Sequence, residues 1–320
     1  MPLRRLVTAL LLAASTPAVA QMSNMPQEMQ NRLAEVGANW SKDIYGNIAI
    51  TQKLYTPLLK AAPRDGVQIK RDISYGPHGR NKLDVFQPDN AKTLPVVVFI
   101  HGGAYVAGDR DVTDEIYGNV PLYFARHGMV AINATYRLAP DAKWPAAAED
   151  VQSVVQWIRK NIAQYGGDPN RIYLVGHSAG ATHIATYLFD KTFHSGKTPE
   201  IAGAVLMSGR YHFDPKPNDP VLASFQAYFG TDRSRYETMS PITHVKDAPP
   251  VPLFLVIAEY DNPALDTQGA LLLAELCKRD RVCPKFTRME HHNHLSMVYQ
   301  FNTKDELMGR EILNFIKRGK

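Results

Sequence analysis

Cysteine is nearly absent. Cys277 and Cys283 are the two in 320 residues, and no His/Cys cluster has metal-ligand spacing apart from the histidines at 291, 292 and 294. Those three have no carboxylate pattern beside them, so neither a metal nor any other cofactor is expected. Six positions apart, the cysteines form a small local disulfide in an oxidising compartment and remain two thiols otherwise. Dense Lys/Arg runs with interleaved aromatics are missing too. The formal charge of +5 drops to +3 without Arg4 and Arg5, which argues against a nucleic-acid partner. There is no internal repeat and no linker that would separate domains.

Long hydrophobic runs are also scarce. The one at the start, Leu6 to Ala14, is too short and wrongly flanked to span a membrane. It follows Arg4 and Arg5 and precedes Ala18-Val19-Ala20, a small-x-small cleavage site, so residues 1–20 read as a secretory signal peptide. No cysteine is there to carry a lipid. The expectation is an exported protein, periplasmic or secreted, whose residues 21–320 form one domain large enough for a sizeable core.

From Val67 onward apolar strands alternate with helical patterns. IKRDISYG and NKLDVFQP read as a hairpin; LPVVVFIHGG, MVAINATY, RIYLVGHS, AGAVLMSG and VPLFLVIAEYD read as strands. Their apolar runs are too continuous for one-sided sheets and predict mostly parallel strands buried on both faces. Alternation with helices predicts a doubly wound α/β sheet, helices on both faces, with ligands at the carboxyl ends of the strands. Residues 21–63 and 211–250 break the alternation. Both are candidates for a small cap over a cleft, the first equally for simple packing.

The most informative segment is RIYLVGHSAG followed by ATHIATYLF. Strand, Gly176-His177-Ser178-Ala179-Gly180 and helix is the order of a nucleophile elbow, which holds a serine on a sharp turn. Serine needs a base, a carboxylate to orient that base, and N–H donors for the oxyanion. Each part stands at the end of a predicted strand. His101-Gly102-Gly103 follows LPVVVFI, so Gly102 and Gly103 with the N–H of Ala179 are the candidate oxyanion donors. Asp261 ends VPLFLVIAEYD and is the candidate acid; Glu259 and Asp266 compete, Glu259 being expected deeper in the strand. PKFTRMEHHNHLSMVYQF offers the base after the last strand. His294 is the choice there, with His291 and His292 as polar loop residues. The order Ser178, Asp261, His294 is that of α/β-hydrolases.

HGGAYVAGD, NATYRLAPDAKWPAAAEDVQSVVQWI, YGGDPNRIYLVGHSAG and SPITHVKDAPPVPLFLVIAEYDNP together resemble the esterase/lipase branch of the α/β-hydrolase superfamily. The nearest likeness is to hormone-sensitive-lipase-like, feruloyl-esterase-like and formamidase-like enzymes, and Ala104-Tyr105 after the glycines is closer to the last two. The resemblance covers about Val67 to the C-terminus. It implies an α/β-hydrolase fold with Ser178 as nucleophile, His294 as base and Asp261 as its orienting acid. The implied activity is hydrolysis of short- to medium-chain or aromatic carboxylic esters, with a small-molecule ester as partner. Amide hydrolysis, or binding without catalysis, are the alternatives. Tyr136, Arg137 and Asp150 read as structural.

Overall fold

The computed structural model describes residues 25–318. The expected leader, residues 1–20, lies outside the described residues. Two helices come first, α1 (Gln27–Ala38) and α2 (Ile44–Lys60), and then β1 (Val67–Ser74), β2 (Lys82–Pro88) and β3 (Leu94–Ile100). There follow α3 (Asn119–Arg126), β4 (Val130–Ala134), α4 (Ala146–Asn161), β5 (Gly167–His177), α5 (Ala179–Phe189) and β6 (Gly203–Met207). The last third holds α6 (Leu222–Phe229), α7 (Tyr236–Met239), β7 (Leu253–Tyr260), α8 (Leu265–Asp280), β8 (Lys285–Asn293), α9 (Ser296–Tyr299) and α10 (Leu307–Arg318). No helix among the described residues is long and apolar enough to cross a membrane.

The eight strands form one sheet in the order β1-β2-β4-β3-β5-β6-β7-β8. β2 runs antiparallel to both neighbours, and every other pairing is parallel. This is the mostly parallel α/β sheet the strand pattern predicts, and the resemblance to α/β-hydrolases implies the same. β3 shows why its apolar run is unbroken. Val96, Val98 and Ile100 belong to the core on one face, whereas Val97 and Phe99 belong to the core on the other. Successive residues of a strand point to opposite faces, so both faces need apolar side chains. Each such buried side chain contributes about 1.5–3 kcal/mol.

One strand differs from expectation. β8 reaches Asn293, so His291 and His292 lie within a strand, not in a loop. As the edge strand it is half exposed and carries Arg288, Glu290 and two histidines, which hides it from a reading based on apolar runs. His291 is exposed, but His292 is buried against Asp305 (3.2 Å) and the hydroxyl of Ser296 (3.1 Å). Residues before the sheet are helical. Gly37 of α1 lies so close to Tyr260 that a Cβ there would stand 2.2 Å from the ring.

Cys277 and Cys283 are joined by a disulfide at the end of α8. Asp150 accepts from the Arg137 backbone N–H (2.7 Å), the Arg137 side chain (2.9 Å) and Asn81 (3.0 Å), a buried structural tie as expected.

Candidate active site

Register brings the site together. Gly176 pairs with Ile100 and His177 with Met207, so the ends of β3, β5 and β6 lie side by side. Ser178 is the single residue between β5 and α5, at φ 54° and ψ −120°, a conformation costly for a residue with a Cβ. Its N–H donates to the carbonyl of Met207 at 2.8 Å. The motif's glycines are steric. A Cβ at Gly180 would stand 2.1 Å from the Ile100 carbonyl oxygen, and one at Gly176 2.7 Å from the Ala181 nitrogen.

Asp261 follows β7 directly. It accepts from His294 Nδ1 at 2.7 Å, from the N–H of Asn262 at 2.9 Å and Ala258 at 3.2 Å, and from the hydroxyl of Ser208. A carboxylate can only accept, so His294 holds a proton on Nδ1, and in the neutral imidazole Nε2 is the nitrogen with the lone pair. That is the tautomer a general base requires. The competitors are engaged elsewhere. Glu259 accepts from the His291 N–H at 2.7 Å and pairs with Arg288 at 3.3 Å, and Asp266 is exposed at the start of α8, bonded to Thr267. Contrary to expectation, Glu259 is the shallower of the two strand-end acids: its side chain is 23% exposed against 2% for Asp261.

Gly102 and Gly103 stand across from Ser178. A Cβ on Gly102 would lie 3.0 Å from Ser178 Cβ, and Gly103 has φ +140° with the Ala107 carbonyl 1.9 Å from where its Cβ would be. At Gly103 only glycine fits, and at Gly102 a side chain would press on Ser178 and His177. Among the described residues, the N–H groups of Gly102, Gly103 and Ala179 meet no backbone acceptor in turns or loops, as donors kept for a ligand should. Tyr136 braces this loop, its hydroxyl donating to the His101 carbonyl at 3.0 Å while its ring stacks on His101 at 4.5 Å. Burial lowers the His101 pKa to about 4, so its imidazole stays neutral.

Three contacts are not announced by the sequence. His177 Nε2 donates to the carbonyl oxygen of His294 at 2.8 Å, and burial pushes the His177 pKa well below the ordinary range. Asn293 accepts from the N–H groups of Leu295 (3.0 Å) and Ser296 (2.9 Å) and donates to Thr51 of α2 at 3.0 Å, which fixes the turn holding His294. A second tie runs from Trp40 Nε1 to Asn262 at 2.8 Å. His177 lies inside the elbow motif, where its contact could have been sought; nothing near Thr51 or Trp40 signals theirs.

Ser178, His294, Gly102, Gly103 and Ala179 all line one cavity of about 380 Å³. Ile44, Tyr45 and Ile48 of α2 form part of its wall, and Asp219, Val221 and Ser224 form another. These come from the two segments that broke the strand-helix alternation. The arrangement offers a strained hydroxyl, a correctly protonated imidazole and converging N–H donors around a largely apolar space, the requirements of acyl transfer. Among the described residues no cluster of three His, Cys, Asp or Glu is placed to hold a metal ion.

Comparison with known proteins follows the geometry. The prolyl oligopeptidase family model matches residues 141–319, and the BD-FAE model matches residues 83–194. An isoprenylcysteine alpha-carbonyl methylesterase of Arabidopsis thaliana is 30% identical over 218 residues, 61% of this chain and 50% of its own length. Esterase LipQ of Mycobacterium tuberculosis is 30% identical over 244 residues, 70% of this chain and 56% of its own. The chain thus spans about half the length of these relatives. Among solved structures, a bacterial heroin esterase superposes with a TM-score of 0.70 at 21% identity, covering 92% of this chain and 98% of that one. The hyperthermophilic esterase of Pyrobaculum calidifontis gives 0.69 at 22%, with 92% and 98% covered.

Proposed function

Because the chain belongs to the prolyl oligopeptidase family of α/β-hydrolases, we propose that it is an exported serine carboxylesterase for short- to medium-chain or aromatic esters. The observation that carries the reading is the Asp261–His294 bond at 2.7 Å, which leaves His294 Nε2 unprotonated on the cavity that Ser178 also lines. The curated relatives bear esterase names, which favours an ester over an amide.

Ser178 Oγ attacks the ester carbonyl while His294 Nε2 takes its proton. The negative charge that develops on the carbonyl oxygen meets the N–H groups of Gly102, Gly103 and Ala179. Collapse expels the alcohol, protonated by His294, and leaves an acyl group on Ser178. Water, deprotonated by His294, then releases the acid. Residues 21–63 and 211–250 act as the cap that shapes the cleft. Export rests on the pattern of residues 1–20, and the Cys277–Cys283 bridge supports it, since such bonds persist in oxidising compartments.

The test is hydrolysis of p-nitrophenyl esters from acetate to palmitate by the chain from residue 21, with Ser178→Ala alongside. The expected result is activity falling beyond medium chains and a loss of about 10³-fold or more in the variant. A variant that keeps a tenth of the rate rules Ser178 out as nucleophile. The family model carries a peptidase name, so matched ester and amide substrates belong in the same assay, and a faster amide reverses the choice of substrate. Failure of a fluorophosphonate to label Ser178 in folded protein points to a non-catalytic role.

A further inference from the structure

Among the described residues, Arg210 is the one arginine or lysine in a cavity wall otherwise rich in apolar side chains. It lies just beyond β6, on the same edge as Ser178, and its side chain is 7% exposed while still lining the cavity. Its position relative to the elbow is fixed by the backbone, because the Arg210 N–H donates at 3.0 Å to Thr182 in the first turn of α5. The guanidinium stands 5.6 Å from the centre of the Phe225 ring and gives one nitrogen, Nη2, to Asp219 Oδ2 at 2.6 Å. The Tyr105 hydroxyl is a second hydrogen-bond partner of the guanidinium. A guanidinium carries five N–H donors, and Asp219 and the Tyr105 hydroxyl engage only some of them.

Asp219 lines the same cavity with its side chain 10% exposed. Its Oδ1 accepts from the Val221 N–H at 3.0 Å, so backbone and ion pair both hold it in place. Each carboxylate oxygen has a second lone pair. The pair therefore presents spare donors and spare acceptor sites side by side at no net charge.

Resting on the carboxylesterase reading, we propose that Arg210 and Asp219 form a polar recognition subsite that selects esters bearing an uncharged hydroxyl group on the acyl or alcohol chain. A hydroxyl accepts from Arg210 and donates to Asp219, satisfying both. A carboxylate does not suit the place, because it would bring a second negative charge to a guanidinium already neutralised by Asp219. A plain alkyl chain leaves both groups with poorer partners, and a site built around buried polar groups rejects a substrate that cannot pair with them.

Two matched substrate pairs test this: p-nitrophenyl butanoate against its 3-hydroxy derivative, and butyl butanoate against 4-hydroxybutyl butanoate. The wild-type protein is expected to favour the hydroxylated member of at least one pair by tenfold or more in kcat/KM. In Arg210→Met combined with Asp219→Asn that ratio should fall to within twofold of one, with fluorophosphonate labelling of Ser178 reporting that the protein is folded. Should the double variant not fold, Arg210→Lys, which keeps the charge but not the planar fork, should lower the ratio at least threefold. Equal or faster hydrolysis of the alkyl members overturns the subsite while the esterase reading stands. A preference that survives the double substitution does the same. Hydrolysis of neither pair by the wild type overturns both readings.

Discussion

The imidazole of His177 and the backbone of His294 are joined: His177 Nε2 donates to the His294 carbonyl oxygen at 2.8 Å, with the two rings 4.6 Å apart. A carbonyl can only accept, so His177 holds its proton on Nε2, and its buried Nδ1 meets no hydrogen-bond partner among the described residues. The residue before Ser178 thereby sets the height of the loop that carries His294.

Removing that donor leaves a buried carbonyl unpaired, at a cost of about 1–3 kcal/mol, and frees the loop. His177→Leu should lower kcat about tenfold to a hundredfold with KM within threefold, and should shift the acid limb of the kcat/KM profile. His177→Gln, which retains an N–H, should recover part of the loss. Steady-state kinetics across pH check this, and equal effects of the two substitutions would contradict a positioning role.

Asp261→Asn replaces an acceptor with an amide that can favour the wrong His294 tautomer. The expected loss in kcat is about 10³- to 10⁴-fold. Ser208→Ala removes only one of the donors to Asp261 and should cost about 1 kcal/mol, or roughly fivefold. Measuring both on one ester separates orientation of the base from support of the acid; a Ser208→Ala effect as large as Asp261→Asn would reassign the serine.

Much of this site was legible because it lies where buried strands end. Ser178, Asp261 and the Gly102-Gly103 pair each follow a continuous apolar run, and the sheet's register does the rest. β8 was obscured because an edge strand needs no apolar face outward. The partners of the His294 turn were hidden for another reason. Thr51 and Trp40 sit in helices more than 200 positions away, and ordinary polar or aromatic residues carry no mark of what they will touch. Arg210 is similar, since one arginine after a strand looks like any surface charge until the cavity encloses it.

Gly180→Ala should be poorly tolerated although alanine favours helices. With its Cβ 2.1 Å from the Ile100 carbonyl oxygen, β3 and α5 must separate, at a cost of about 1–3 kcal/mol or more. Thermal denaturation should show a lowered Tm together with loss of activity; a Tm within a degree of wild type would show that the elbow relaxes.

Acid should destabilise the fold before most carboxylates titrate. His101, His177 and His183 are buried neutral, with burial lowering the pKa of His101 to about 4 and that of His183 to about 3. In the unfolded chain they bind protons near pH 6.5, so the unfolded state gains protons that the native state refuses. Their contribution is complete above about pH 6.5 and is lost as pH falls toward 4. For His101 it amounts to about 3 kcal/mol. Asp84 and Asp150, whose pKa burial raises, act in the opposite sense and offset part of it. Denaturant midpoints measured from pH 7.5 to 4.5 should fall steadily, and a flat profile would refute the neutral assignment.

The disulfide closes a short loop, so its contribution is small, about 2 kcal/mol by chain-entropy reasoning. Cys277→Ser with Cys283→Ser should lower the Tm by a few degrees and leave turnover intact, because α8 ends away from the cavity. Loss of activity in a folded double variant would tie that end of α8 to the site.

The bonds from Thr51 to Asn293 and from Trp40 to Asn262 span 242 and 222 positions of the chain. Their consequence lies in the order of synthesis. Trp40 and Thr51 are synthesised long before Asn262 and Asn293, and the turn carrying His294 gains these two ties only once β7 and β8 exist. The elbow around Ser178, by contrast, is built from residues close together in sequence, so Ser178 and the His294 turn come to be held at different stages of folding.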